Sequence, residues 1–170
     1  MWSRISLALV VSVWLSGAAL GETQPPTQGN LVVNGSFEQG GAAWRFVSTG
    51  ANATGQVEGT EKHEGKYAYK LTNKSAQAPN LFARIVQEVS GLRPYTTYKV
   101  SCWAKGKGCG IVWIGGGPGW GTRKWFPQGD FDWQEFSFEV TTDATPDNYE
   151  LMVLTESVTE ALWEIGRAHV

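Results

Sequence analysis

Apolar residues along this chain do not recur at the three-and-four spacing of an amphipathic helix. Short runs rich in Val, Tyr, Phe and Trp recur instead, separated by Gly, Asn, Asp and Pro. Leu31-Val32-Val33 is the first run, followed by Trp44 to Ser48, Gly55 to Glu58 and Tyr67 to Leu71. Leu81 to Val89 is longer and leads into Gly91-Leu92-Arg93-Pro94, a turn signal. The clearest alternation follows: Tyr98, Val100, Cys102 and Ala104 share one face of a strand, and Thr97, Lys99, Ser101 and Trp103 the other. Ile111 to Ile114 is expected to pair with that strand through the intervening Gly-rich turn. Phe136, Phe138 and Val140 alternate with Glu135, Ser137 and Glu139, a strand with one wet face. Tyr149 to Leu154 and a last run beginning Ala161-Leu162-Trp163 complete the set. About nine short strands and no helix predict an all-β, two-sheet antiparallel β-sandwich.

The two ends read differently from the middle. Arg4, the apolar stretch Ile5 to Leu15 and the small residues up to Ala19-Leu20-Gly21 have the layout of a signal peptide over residues 1–21. The stretch is short against the roughly 20 residues of a membrane-spanning helix. Residues 22–29 (Glu-Thr-Gln-Pro-Pro-Thr-Gln-Gly) lack periodicity and read as a linker, so the folded unit is expected over 30–163. The chain closes Glu164-Ile165-Gly166-Arg167-Ala168-His169-Val170. Written back into codons, this heptapeptide matches one frame of a common sequencing adapter. We expect 164–170 to be a non-native tail, the last strand to be truncated and the natural gene to continue.

Net charge is −2 with no basic cluster, which leaves a nucleic acid no electrostatic footprint. Nine Trp in 170 residues exceed what one core of this size needs. The only cysteines are Cys102 and Cys109. Export would permit a disulfide, and a tight turn at Lys105-Gly106 would set the two opposite each other across a hairpin. The alternative is two reduced thiols in adjacent strands. Two cysteines and two histidines at these spacings match no zinc finger.

Three groups of residues together resemble the CenC-type carbohydrate-binding modules, families four and nine and relatives such as twenty-two. The first is Asn30-Leu31-Val32-Val33-Asn34-Gly35-Ser36-Phe37-Glu38 with Trp44. The second is His63-Glu64-Gly65-Lys66-Tyr67-Ala68. The third is Gln87-Glu88-Val89, Gly91-Leu92-Arg93-Pro94 and Thr97-Tyr98-Lys99-Val100-Ser101, with Trp133 later. The resemblance covers roughly residues 30 to 163. It implies a galactose-binding-like jelly roll that holds a glycan on a concave face or loop edge, beside a glycoside hydrolase domain in one polypeptide. It also implies a structural calcium ion, with Glu38 as side-chain ligand and backbone carbonyls near Ser36, His63 and Lys66. Such modules commonly end Trp-Ile-Asp-Asp-Val; this chain departs from that pattern after Trp163, so calcium affinity should be weakened by the missing aspartate.

A sugar ring offers a face of C–H bonds and an edge of hydroxyls, so its binder needs flat aromatic rings and planar hydrogen-bonding groups. Trp103 lies opposite the apolar face of its strand and is a candidate platform. Trp113 lies on the next run, and Trp120 and Trp125 occupy a Gly-rich loop (Gly115 to Gly121) that gives large rings little cover. Phe82, Arg84 and Gln87 belong to a strand that contributes to the groove in relatives, and Arg84 could donate a forked pair of hydrogen bonds. By simple alternation Gln87 does not share the face of the other two unless a bulge intervenes. Trp44, Trp133 and Trp163 are expected in the core. Asn34, Asn52 and Asn73 each begin an Asn-X-Ser/Thr triplet, and use of Asn34, inside the family motif, is not expected.

A catalytic reading finds no support. The only histidines are His63 in a turn and His169 in the tail, and no nucleophile elbow or phosphate loop is present. The expectation is therefore a secreted, non-catalytic binder of polysaccharide or oligosaccharide. The rival from another class is an extracellular adhesion or structural sandwich that binds protein.

Overall fold

The computed structural model describes residues 29–117, 121–147 and 149–165. Within them lie ten strands and no helix: β1 Arg45–Ser48, β2 Ala53–Glu58, β3 Ala68–Asn73, β4 Ala83–Val89, β5 Thr97–Cys109, β6 Val112–Gly116, β7 Thr122–Trp125, β8 Gly129–Thr141, β9 Tyr149–Thr155 and β10 Thr159–Ile165. They form two five-stranded antiparallel sheets, ordered β1-β4-β9-β6-β7 and β2-β3-β10-β5-β8. The expected jelly-roll sandwich is what forms.

Alternation builds the core. Ala83, Ile85 and Val89 of β4, Val112 and Ile114 of β6, and Leu151 and Val153 of β9 face Leu71, Val100, Cys102, Ala104, Phe136 and Leu162 of the other sheet. Phe37, Leu71, Ile85 and Leu162 are essentially inaccessible. Truncating any of them to Ala costs about 2–5 kcal/mol in a packed interior.

Several sequence expectations are corrected here. Leu31-Val32-Val33 is not a strand: the chain bends at Val32 and enters turns over 33–36 and 38–43. Asn34, at φ 49°, staples these turns: its Nδ2 donates to the carbonyls of Gly40 and Ala42, and its Oδ1 accepts from the Gln39 amide. Trp44 Nε1 closes the loop on the Asn34 carbonyl at 3.2 Å. Among the glycosylation triplets, Asn34 is thus spent on its own loop, and Asn73 is buried.

The run Ile111 to Ile114 does not pair with the strand before it. β5 continues without a turn through Lys105-Gly106 to Cys109, pairing with β10 in regular register and with β8 across irregularities between Ala104 and Gly106 and between Gly106 and Cys109. The chain then crosses to the other sheet, where β6 pairs with β7 and β9. This also removes the disulfide. Cys102 and Cys109 are free thiols on one strand, neither across a hairpin nor in adjacent strands. Seven residues of strand separate their backbones by about 20 Å, against the roughly 7 Å limit for a bridge. Residues 1–28 and 166–170, on which the leader and most of the tail were read, lie outside the described residues.

Candidate functional site

The first sheet carries apolar side chains on both faces. On its outer face Val86, Trp113, Met152 and Leu154 are buried together, with Val47 and Phe82 packed against them. Register fixes the layout. Trp125 of β7 lies opposite Trp113 of β6, which lies opposite Leu154 of β9; Leu154 faces Arg84 of β4, and Arg84 faces Val47 of β1. One row of side chains therefore crosses all five strands, about 19 Å at the usual interstrand spacing.

Trp113 is the pivot of that face. It is 2% exposed, yet it is not between the sheets. Its Nε1 donates to Glu156 Oε1 at 2.8 Å, which fixes the ring and aims the carboxylate. Trp125 meets it edge-on, at a centroid distance of 6.3 Å. The Arg123 guanidinium spans both indoles, 4.8 Å from the Trp113 centroid and 5.6 Å from that of Trp125. Cation–π contacts of this kind hold an arginine flat while leaving its N–H edge outward. Trp125 itself is 51% exposed, a large ring on a rigid edge strand.

Gly115 makes this packing possible. A Cβ there would stand 2.7 Å from the Thr122 carbonyl, 2.9 Å from Arg123 Cβ and 3.0 Å from Trp113 Cζ3. Two recesses flank the indole pair. One, of about 220 Å³, lies between Phe82, Trp113, Arg123 and Glu156, and the other, of about 290 Å³, between Gln77, Trp125, Gln128 and Glu156. Glu156 and Arg123 were not singled out from the sequence. The signal for Glu156 was its even spacing with Glu150, Met152 and Leu154, the outward positions of β9.

The other predicted residues are distributed as follows. Phe82 and Arg84 join this face, with Arg84 5.7 Å over the Phe82 ring. Arg84 and Arg45 converge on Glu150, at 3.8 and 3.4 Å. Gln87 does not join them, because β4 keeps an unbroken register and Gln87 points the other way. It is buried and clasps the N-terminal turn: Oε1 accepts from the Val33 amide at 2.8 Å, and Nε2 donates to the carbonyls of Val33 and Ala43. Its placement among glycan ligands is corrected. Trp125 belongs to a strand and not to the Gly-rich loop, while Trp120 lies outside the described residues.

Trp103 sits on the opposite side of the molecule, on the outer face of the second sheet. It is half-buried beneath His63, whose ring stacks on it at 3.9 Å and 12°. Trp163 is buried, as expected, but in a satellite cluster with Ala68 and Ala161 on that outer face and not between the sheets, and the partly buried Trp133 packs against it. Trp44 does pack against the main core, 5.5 Å from Phe37.

The implied calcium cage is thin. Glu38 Oε1 accepts the amides of Lys66 and Tyr67 at 2.7 and 3.3 Å, which ties that oxygen to the 63–67 turn. Among the described residues no cluster of three or more His, Cys, Asp or Glu could hold a metal ion. A hard cation that takes six to eight oxygens would find one carboxylate here and would otherwise depend on backbone carbonyls. That donor set does not fit a tight calcium site.

A rigid sheet that sets an exposed indole beside an outward arginine and an oriented carboxylate has the construction of a carbohydrate-binding module: an apolar plate for a ring face, with donors and acceptors for its hydroxyls. Residues 29–113, half of the chain, match the carbohydrate binding domain profile of families four and nine, and the chain belongs to that family.

Solved structures share the fold. TmCBM61 in complex with β-1,4-galactotriose is 17% identical at TM-score 0.59, over 84% of this chain and 97% of that one. The CBM22-1 and GH10 modules of xylanase 10B of Clostridium thermocellum, complexed with xylohexaose, are 17% identical at TM-score 0.58, over 81% of this chain and 28% of that one. The enzymatically active domain of tailspike protein 4 of bacteriophage CBA120 is 15% identical at TM-score 0.63. That match spans 80% of this chain and a fifth, 20%, of the tailspike. At these identities the likeness is one of fold. No curated protein sequence matches the chain.

Proposed function

We propose that this domain binds a polysaccharide or oligosaccharide on the outer face of the β1-β4-β9-β6-β7 sheet, as the accessory module of a secreted glycoside hydrolase. The observation that carries the reading is Trp125, half exposed, packed against Trp113 and Arg123 and lining one of the two recesses. A pyranose stacks on the indole; Arg123 donates to hydroxyls and Glu156 accepts from them. The sheet is pre-organised, so little ordering entropy opposes binding. The site contributes affinity and not bond cleavage, as befits its family.

Attachment to a hydrolase is supported by the joined CBM22-1 and GH10 modules of the xylanase. Export is supported by the layout of residues 1–21. The reading of 164–170 as a non-native tail is supported by Glu164, the first residue of that heptapeptide, buried where the fold calls for an apolar side chain. Calcium would be held weakly by Glu38 and backbone oxygens near Ser36, His63 and Lys66, and would stiffen the turns without entering the glycan site.

Affinity electrophoresis through gels containing xylan, β-glucan or β-galactan tests the reading. At least one gel should retard the protein, and Trp125→Ala should clearly reduce the retardation while the melting temperature stays unchanged. Uniform failure of the folded protein to be retarded, or full retention by the variant, defeats this assignment; the former result favours a sandwich that binds protein.

A further inference from the structure

The second sheet also has an apolar outer floor, and it opens into a recess of about 420 Å³, larger than either recess beside Trp125. The floor is Trp163 of β10 and one wall is Phe131 of β8. Trp163 is set by its neighbours: its Nε1 donates to Glu58 Oε1, Lys70 Nζ stands 5.1 Å from its ring centroid, and Trp133 and Ala161 pack against it. Around the rim, Lys105 Nζ is fixed between Glu61 Oε2 at 3.1 Å and Asp132 Oδ1 at 3.7 Å. Lys107 pairs with Glu160 at 2.5 Å. Asp130 Oδ1 accepts the Gly108 amide at 2.7 Å.

Two properties define what this recess can hold. Its two lysines are each paired with a carboxylate, and the lining carries one acid more than it has cations (Lys105 and Lys107 against Glu61, Asp130 and Asp132), so an anion is disfavoured at the rim. Its polar atoms are nonetheless oriented, and an ammonium with three donors or a carboxylate with several acceptor sites keeps capacity after one ion pair. An uncharged polyol with an apolar face satisfies donors, acceptors and floor together. Trp103, close by, does not offer the same opportunity, because His63 already occupies one of its faces.

We infer that the recess over Trp163 is a second glycan position, on the sheet opposite Trp125, and that the domain can hold two sugar chains or two segments of one chain. Occupancy of both faces would crosslink soluble polysaccharide, whereas occupancy of one would not.

The two positions separate in a Trp125→Ala background, which leaves this recess untouched. Xylohexaose and β-1,4-galactotriose are titrated into the variant while indole N–H signals are followed by NMR. At least one sugar should shift the Trp163 indole signal saturably, and adding Lys105→Ala should weaken that binding at least five-fold with an unchanged fold. Absence of a saturable Trp163 shift with both sugars, or a shift indifferent to Lys105→Ala, overturns the second position. Neither result depends on the Trp125 site, whose own failure shows instead as retention that Trp125→Ala does not alter.

Discussion

Trp125 and Trp113 meet edge to face, with their planes 69° apart and centroids 6.3 Å apart, yet one ring is half exposed and the other is sealed. The pair therefore divides the labour between touching a ligand and holding the plate. Trp125→Ala removes exposed area and should change stability by no more than about 0.5 kcal/mol, while glycan affinity falls at least about 30-fold, as for a contact hot spot. Trp113→Ala removes a buried ring and the partner of Glu156, and should cost about 3–5 kcal/mol of folding free energy. Urea unfolding of both variants beside gel retention measures the split; equal destabilisation by the two would contradict it.

Gly115 gives a second test. The Thr122 carbonyl, 2.7 Å from the position of an added Cβ, is backbone and cannot rotate away. Gly115→Ala should push β7 off β6, cost about 1–3 kcal/mol as overpacking does, and weaken glycan binding without touching a ligand-facing group. Unaltered affinity in Gly115→Ala would mean that the indole pair does not depend on this close approach.

Gln87 should behave in the opposite way. Its amide holds Val33 and Ala43 from the inner face, so Gln87→Leu leaves the Val33 amide and carbonyl without their partner. A loss of about 1–3 kcal/mol is expected, with glycan affinity retained. Chemical denaturation and retention measured on the same preparation decide it; lost binding at full stability would return Gln87 to the site.

Glu164 makes stability depend on pH. It lies between Tyr69 of β3 and Ala104 of β5, is 2% exposed, and its Oε2 has no hydrogen-bond partner among the described residues. Burial pushes its pKa up to about 8. The titratable groups facing it stay neutral below that value. Burial raises Tyr69 to about 12, and burial, then the Glu164 and Glu135 charges, raise the Cys102 thiol. In the unfolded chain the Glu164 carboxyl ionises near 4.3. Between these values the folded state keeps a proton that the unfolded state has lost, so the Glu164 contribution to stability is greatest below about pH 4, falls as pH rises and levels off above about 8. Glu58 changes only in acid, since hydrogen bonds from Trp163 and Thr60 and the charge of Lys70 outweigh the upward effect of its burial. Urea midpoints at pH 5, 7 and 9 should decline in the parent and stay level in Glu164→Leu. A decline shared by both would acquit Glu164.

The cysteines should be inert. Burial raises both thiols, Cys109 to about 11, which keeps them protonated in neutral solution. Native protein at pH 8 should take up Ellman's reagent only after denaturation, and then at two equivalents. Rapid labelling of the folded protein, or no labelling after unfolding without reductant, would show that the thiols are exposed or bonded.

Much of this domain was written in the order of its residues. Period-two alternation named the inward side of β5 (Tyr98, Val100, Cys102, Ala104), and the Asn34 to Trp44 motif is a turn that its own side chains staple. Alternation even excluded Gln87 from the face of Arg84. What alternation reports is the side of a strand, not the sheet that the strand joins. Hydrogen bonds between strands are made by identical backbone groups, so the sequence around Gly106 reads equally as a hairpin or as a bulged strand that continues. Tertiary packing alone sent β6 across to β9, and with it Trp113 to one side of the molecule and Trp103 to the other. The same crossover assembled Arg123, Trp125 and Glu156, distant in the chain, around one indole.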